Sequence, residues 1–226
     1  MTGWWMSDMW QNGQSVELVS WVWWVIFSIC LHELGHGVAA ILEGDDTPIR
    51  TGHMTWNPLV HMGGMSLLIF ALVGFAWGLM PVNPGNFRHR RWGDAIVAFA
   101  GPLVNLILAA ILLTGAGLWN GLVVGAPDAE QWKINVGIFL LSGGWLNLIL
   151  LALNLLPFPP LDGSRILASF SWKYRQLLMN PNIQFAGMAF IMIFFWFTPL
   201  GSQFIGSVAR FGVDWSHFIA RLVSSS

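Results

Sequence analysis

Over 226 residues the chain is 55% hydrophobic and 9% charged, against about 25% charged in an average soluble domain, a composition that belongs in a bilayer. A formal net charge of -1 with no basic stripe gives a nucleic-acid backbone nothing to bind. The one cysteine, Cys30, excludes an intramolecular disulfide and a thiolate cluster, so a metal site must use histidine and carboxylate.

The N-terminal stretch carries Asp8 and Glu17 but no Lys or Arg. It lacks the basic start of a cleaved signal, so the first hydrophobic segment is expected to stay in the mature protein. Residues 20–42 are 23 mostly apolar residues that would span about 35 Å as a helix, against a hydrocarbon core of about 30 Å. They form the first expected transmembrane helix, interrupted by His32, Glu33 and His36. Residues 43–64 are polar and rich in turn formers, and are expected to hold little regular structure. Residues 65–80 are apolar but short for a crossing and contain Gly74 and Gly78, which reads as a re-entrant segment.

Residues 81–93 carry Pro81, Pro84, Arg88, Arg90 and Arg91. A second span is expected over 94–118 and a polar turn with Asp128, Glu130 and Lys133 after it. A third covers 134–156, stopped by Pro157, Pro159 and Pro160 just before Asp162. Residues 183–200 make a fourth. Beyond them Phe204, Val208, Phe211, Trp215, Phe218 and Leu222 recur opposite Arg210, Asp214, His217 and Arg221, the pattern of an interfacial amphipathic helix. Tryptophans near span ends, among them Trp21, Trp23, Trp24, Trp119, Trp132 and Trp196, suit aromatic belts.

The fold class is therefore an all-α polytopic membrane protein with about four transmembrane helices, a re-entrant segment and a C-terminal interfacial helix. It forms one domain, 1–226, with a core over about 20–170 and a span and tail over 183–226. Arg88, Arg90 and Arg91, with Arg165, Lys173 and Arg175 after Asp162, place those loops in the cytoplasm by the positive-inside rule. The N-terminus then lies outside, provided that 65–80 enters and leaves by one face.

His32 and His36 stand four residues apart, so a helix projects both imidazoles from one face to grip a single Zn²⁺, with Glu33 beside them to take a proton from water. Three ionisable groups in one apolar span are costly without a shared purpose. A catalytic zinc usually has three protein ligands. Asp162, in a proline-rich break and followed by Gly163, is the best candidate for the third. Cys30 reads as core packing.

HELGH at 32–36, FAGPLVN at 99–105 and NLLPFPPLDG at 154–163 occur in the order found in the site-2 proteases. The chain resembles that family of intramembrane metalloproteases over roughly residues 20–170, most of all its short members without PDZ or CBS domains. The resemblance implies zinc on His32, His36 and Asp162, Glu33 as general base and acid, and a substrate that is itself a transmembrane segment. It also implies that Asn154, and secondarily Asn105, meet substrate, while Gly101 and Asn105 serve helix packing. His61 matches a position of the short members. The chain departs from them at Met62, Gly63 and Gly64 and at Trp77, Gly78 and Leu79, which leaves gating open.

Two rival functions use the same residues. An ion or proton transporter would line a path with them, although no inverted repeat is visible. A membrane-substrate binding protein would hold zinc without cutting, which the presence of Glu33 argues against. The expected setting is the cell or inner membrane, with the site nearer the cytoplasm, transmembrane proteins and lipid as partners, and a homo-oligomer as an open alternative.

Overall fold

The computed structural model describes residues 4–90, 92–124 and 130–224, and among them every regular element is helical. Arg91 and Asp128 lie outside the described residues, as does the side chain of Trp196.

Helix α1 (Trp5–Gln11) precedes α2 (Ser15–Leu42), which starts five residues before the apolar run and takes in Glu17. The indole N–H groups of Trp4 and Trp5 both donate to Ala71 O, at 2.6 and 3.1 Å, tying this end to the far end of α4 (Pro58–Val73). The 43–64 stretch is more regular than its polarity suggests. It holds α3 (Thr47–Arg50) and the first turns of α4, because Asn57 Oδ1 accepts from Leu59 N–H at 3.0 Å and Pro58 takes the first helical position, where its missing N–H costs nothing. Gly63, at φ 68°, breaks α4 in a conformation that a side chain would strain.

After Gly74 the chain runs back without regular structure. Ser66 Oγ donates to Trp77 O at 2.7 Å and accepts from Trp77 N–H at 2.9 Å, while Leu79 N–H donates to His61 O at 2.8 Å. The return ends at α2's C-terminal end, where the buried Asp45 accepts from Asn83 N–H at 2.6 Å and Asn86 Nδ2 at 2.9 Å. There Glu43 O accepts from Arg88 N–H, and the Glu43 carboxylate lies 3.0 Å from His89 Nδ1. Residues 58–83 thus leave and rejoin the bundle at the same end.

Helix α5 (Gly93–Trp119), extended by a π-helical turn Asn120–Val124, sits between α2 and α6 (Gln131–Asn154). Small residues permit this closeness. A Cβ at Gly35 would meet Val104 at 2.8 Å, and one at Gly144 would meet Leu113 at 2.5 Å. Trp24, expected in a belt, instead packs over Gly143 in the core, its indole donating to Phe139 O at 2.8 Å. Trp119 and Trp132 do meet at the shared end of α5 and α6, with ring centroids 6.1 Å apart.

The chain then forms α7 (Asp162–Phe170), α8 (Trp172–Leu178), α9 (Pro181–Phe197) and α10 (Pro199–Ser224). Among the described residues three helices, Ser15–Leu42, Gly93–Val124 and Gln131–Asn154, are long and apolar enough to cross a membrane, and α8 with α9 would add a fourth if that pair, bent by 85°, counts as one span. Side chains such as Leu106, Ile107 and Ile111 face outward from α5, as lipid-facing positions should. Helix α10 docks lengthwise on α5 and α6.

Candidate metal centre

The i, i+4 spacing on α2 turns His32 and His36 toward α5 and the start of α7. Pro157, Pro159 and Pro160 end the α6 segment, and the chain turns back so that Asp162, the first residue of α7, faces them. Asp162 Oδ2 lies 3.1 Å from His32 Nε2 and 3.2 Å from His36 Nε2, and the two Nε2 atoms are 3.0 Å apart. The site is closed off: His36 is 4% exposed, and His32, Glu33 and Asp162 are each 7% exposed.

The partners behind the imidazoles fix what these atoms can do. His36 Nδ1 lies 2.7 Å from Val97 O, which can only accept, so Nδ1 carries the proton. On the other side the chain is longer. Gly143 O, again only an acceptor, takes Asn147 Nδ2 at 2.8 Å. Asn147 Nδ2 also donates to Ser28 Oγ at 2.9 Å, and Asn147 Oδ1 accepts from Asn105 Nδ2 at 2.8 Å. Asn105 Oδ1 therefore faces His32 Nδ1, at 2.6 Å, and that nitrogen too must donate.

Both Nε2 atoms are left with lone pairs aimed at Asp162 Oδ2, a buried oxygen with no hydrogen-bond partner. Three lone pairs about 3 Å apart repel unless a cation sits among them. A tetrahedral zinc with ligands about 2.0–2.1 Å away would hold them about 3.3 Å apart. Donor types, spacing and burial all fit Zn²⁺, and these are the only residues among those described that form such a group.

Close packing on both sides leaves no spare room. A Cβ at Gly101 would stand 2.5 Å from His36 Nε2 and 2.6 Å from His32 Nε2, so α5 can back the imidazoles only with glycine there. A Cβ at Gly78 would overlap the Glu33 carboxylate, so the returning segment lies directly over that group. Glu33 takes no hydrogen bond among the described residues. It opens on a cavity of about 410 Å³ bounded by Phe75 to Met80, the end of α6, Asp162 and α9. A larger apolar cavity of about 800 Å³ lies among Trp5, Trp21 and Trp145, away from this chemistry.

His32, Glu33, His36 and Asp162 are thus brought together. Asn154 lines the same cavity, its Nδ2 donating to Leu150 O at 3.0 Å. Asn105 is elsewhere: fully buried behind His32, with both ends of its amide engaged, it has no face toward the cavity. Asn147 and Ser28 were not singled out by sequence reasoning. A lone amide inside the apolar run of α6 was the available sign of Asn147. His61 is buried and lies outside the cavity lining, with Nε2 on Thr55 O at 2.6 Å.

The profile of peptidase family M50 matches residues 21–124 and 119–198. The provisionally named zinc metalloprotease YwhC of Bacillus subtilis is 33% identical over 194 residues, 84% of this chain and 85% of that protein. The similarly named Rip2 of Mycolicibacterium smegmatis is 31% identical over 208 residues, 88% of this chain and 75% of that protein. Zinc metalloprotease MJ0392 of Methanocaldococcus jannaschii is 28% identical over 191 residues, 81% of this chain and 46% of that protein. No solved structure matches the chain.

Proposed function

The chain belongs to peptidase family M50 and is a membrane zinc metalloprotease; from that premise we propose that His32, His36 and Asp162 hold the zinc, that Glu33 is the general base and acid, and that the substrate is the transmembrane segment of another membrane protein. The observation that carries this reading is the convergence of three lone pairs beside Glu33 within a bundle of apolar spans.

Zinc held there supplies a Lewis acid for the scissile carbonyl and a nucleophilic water near neutral pH. Glu33 accepts the water's proton as the water oxygen bonds to the carbonyl carbon. It returns that proton to the amine nitrogen as the C–N bond breaks. Asn105 and Val97 O hold the imidazoles in the tautomer that binds metal. Asn154 offers its side-chain oxygen to a substrate N–H. The cavity wall opposite the metal is backbone from 75 to 80. A substrate helix must unwind to present an extended strand there, because helical peptide bonds are shielded.

Residues 65–80 act as a re-entrant segment, a reading supported by the return of the surrounding 58–83 stretch to the end of α2 from which it set out. That end carries Arg88, Arg90, Arg165, Lys173 and Arg175 and faces the cytoplasm. His36 and His32 lie six and ten residues from Leu42, about 9–15 Å in from that face. The whole chain is one membrane domain, with its core over 20–170, that performs regulated intramembrane proteolysis in the cell membrane.

Purified protein reconstituted with single-span substrates tests the substrate class. Mass spectrometry of the products should map the cut within the apolar segment or about a turn from it. Cuts confined to soluble tails would overturn it.

A further inference from the structure

Helix α10 carries a polar seam exposed at the surface of the described residues. Gln203, Ser207, Arg210, Asp214, His217 and Arg221 alternate at spacings of four and three, and all are exposed. A 3.5-residue period is the spacing at which two helices keep one seam in contact.

The depth of this seam makes it informative. A Cβ at Gly212 would lie 3.2 Å from Leu148, 3.3 Å from Trp145 and 3.4 Å from Leu113, and the Trp215 indole donates to Thr114 Oγ1 at 3.2 Å. Leu113 is six residues below Trp119, about 9 Å, and Trp145 is eight residues below Gly137, which packs on Trp119 and Asn120, about 12 Å. Arg210 and Asp214, two residues to either side of Gly212, are therefore level with the apolar part of α5, about two turns in from Trp119. Periodicity reads α10 as interfacial, and its docking against Leu113, Trp145 and Leu148 supports a deeper setting for these two charges. Arg210 donates to Ser207 Oγ at 3.3 Å, and Asp214 has no hydrogen-bond or ion-pair partner among the described residues. A carboxylate facing lipid is costly, and its side chain is too short to reach the headgroups.

We propose that the seam is the contact between two copies of this chain. Their α10 helices run parallel about a two-fold axis along the membrane normal, with Arg210 of each facing Asp214 of the other. Under such an axis each seam residue lies level with its own copy, and the long Arg210 side chain of each reaches one turn along the stripe to Asp214 of the other, so both contacts form together.

The test uses full-length protein in lipid vesicles at low density, with association read by single-molecule photobleaching and by disulfide cross-linking of Ser207→Cys in a Cys30→Ser background. Wild type is expected to be dimeric. Arg210→Asp and Asp214→Arg should each weaken the dimer by about tenfold or more through like-charge contact. The double swap, carrying both changes, should restore it. Zinc content checks that each variant is folded, and the neutral pair Arg210→Gln and Asp214→Asn gives a milder series. A monomeric wild type would overturn the proposal. So would a dimer indifferent to either single swap, cross-linking only to a different protein, or Asp214→Cys reacting with a membrane-impermeant maleimide as fast as a loop cysteine.

Discussion

Asn105 Oδ1 lies 2.6 Å from His32 Nδ1, and that contact decides which face of the imidazole is free to bind metal. Replacing Asn105 by Ala should let the ring turn and change tautomer. Zinc affinity is expected to fall by about 10–100-fold, measured by competition with a chelator, and added zinc should recover much of the activity. Unchanged affinity would mean that the amide packs helices and does nothing for the ring.

Gly101 allows the backbone of α5 to pass under both imidazoles. Gly101→Ala should displace them and lower zinc occupancy by about tenfold or more under dialysis, while circular dichroism stays helical. Full occupancy in that variant would show that the helices separate more easily than the contacts suggest.

Gly78 rests on Glu33 rather than on the metal ligands. Gly78→Val should therefore spare zinc content but misplace the base and cut kcat by about 10²-fold. Parallel assays of metal and turnover separate this outcome from that of Gly101→Ala.

Asp45 holds the 83–86 turn to the end of α2. Burial pushes its carboxyl up, but N–H of Asn83, the Thr47 hydroxyl and N–H, and the Asn86 amide outweigh that and keep it below the usual carboxylate range. A lowered native value means that its stabilisation is complete above about pH 4 and is lost as pH falls through that lowered value. Asp45→Ala should cost about 1–3 kcal/mol at neutral pH. Thermal unfolding in detergent should show this gap shrinking only in strong acid; a gap that closes by pH 6 contradicts the assignment.

The parts of the site legible in sequence were those governed by local spacing. His32 and His36 share a helix face by arithmetic, and a carboxylate after a proline break, Asp162, had few other reasons to follow a span. The rest depends on which helices meet. Asn147 sits 42 residues from Asn105, and only the pairing of α5 with α6 makes them partners. Val97 contributes a backbone carbonyl, which has no signature in sequence. Asn105 was expected first to pack helices and only second to meet substrate; the rotation of α5 turns it behind His32, where its amide bonds across to Asn147 and leaves no face for substrate. Trp24 shows the same limit: a tryptophan near a span end packs inward when a glycine such as Gly143 leaves a place for it. The start of α4 was readable from Asn57 and Pro58, but the polar composition around them obscured it.

The central claim is that Glu33 moves the proton while His32, His36 and Asp162 hold the metal. Its most direct test is cleavage of reconstituted single-span substrates by wild-type protein and Glu33→Gln, with zinc counted on both samples. Cleavage in the wild type and its loss in Glu33→Gln, with about one zinc per chain in each, is the expected result. Equal cleavage by the variant, or a zinc-loaded wild type that cuts no membrane substrate, would contradict it.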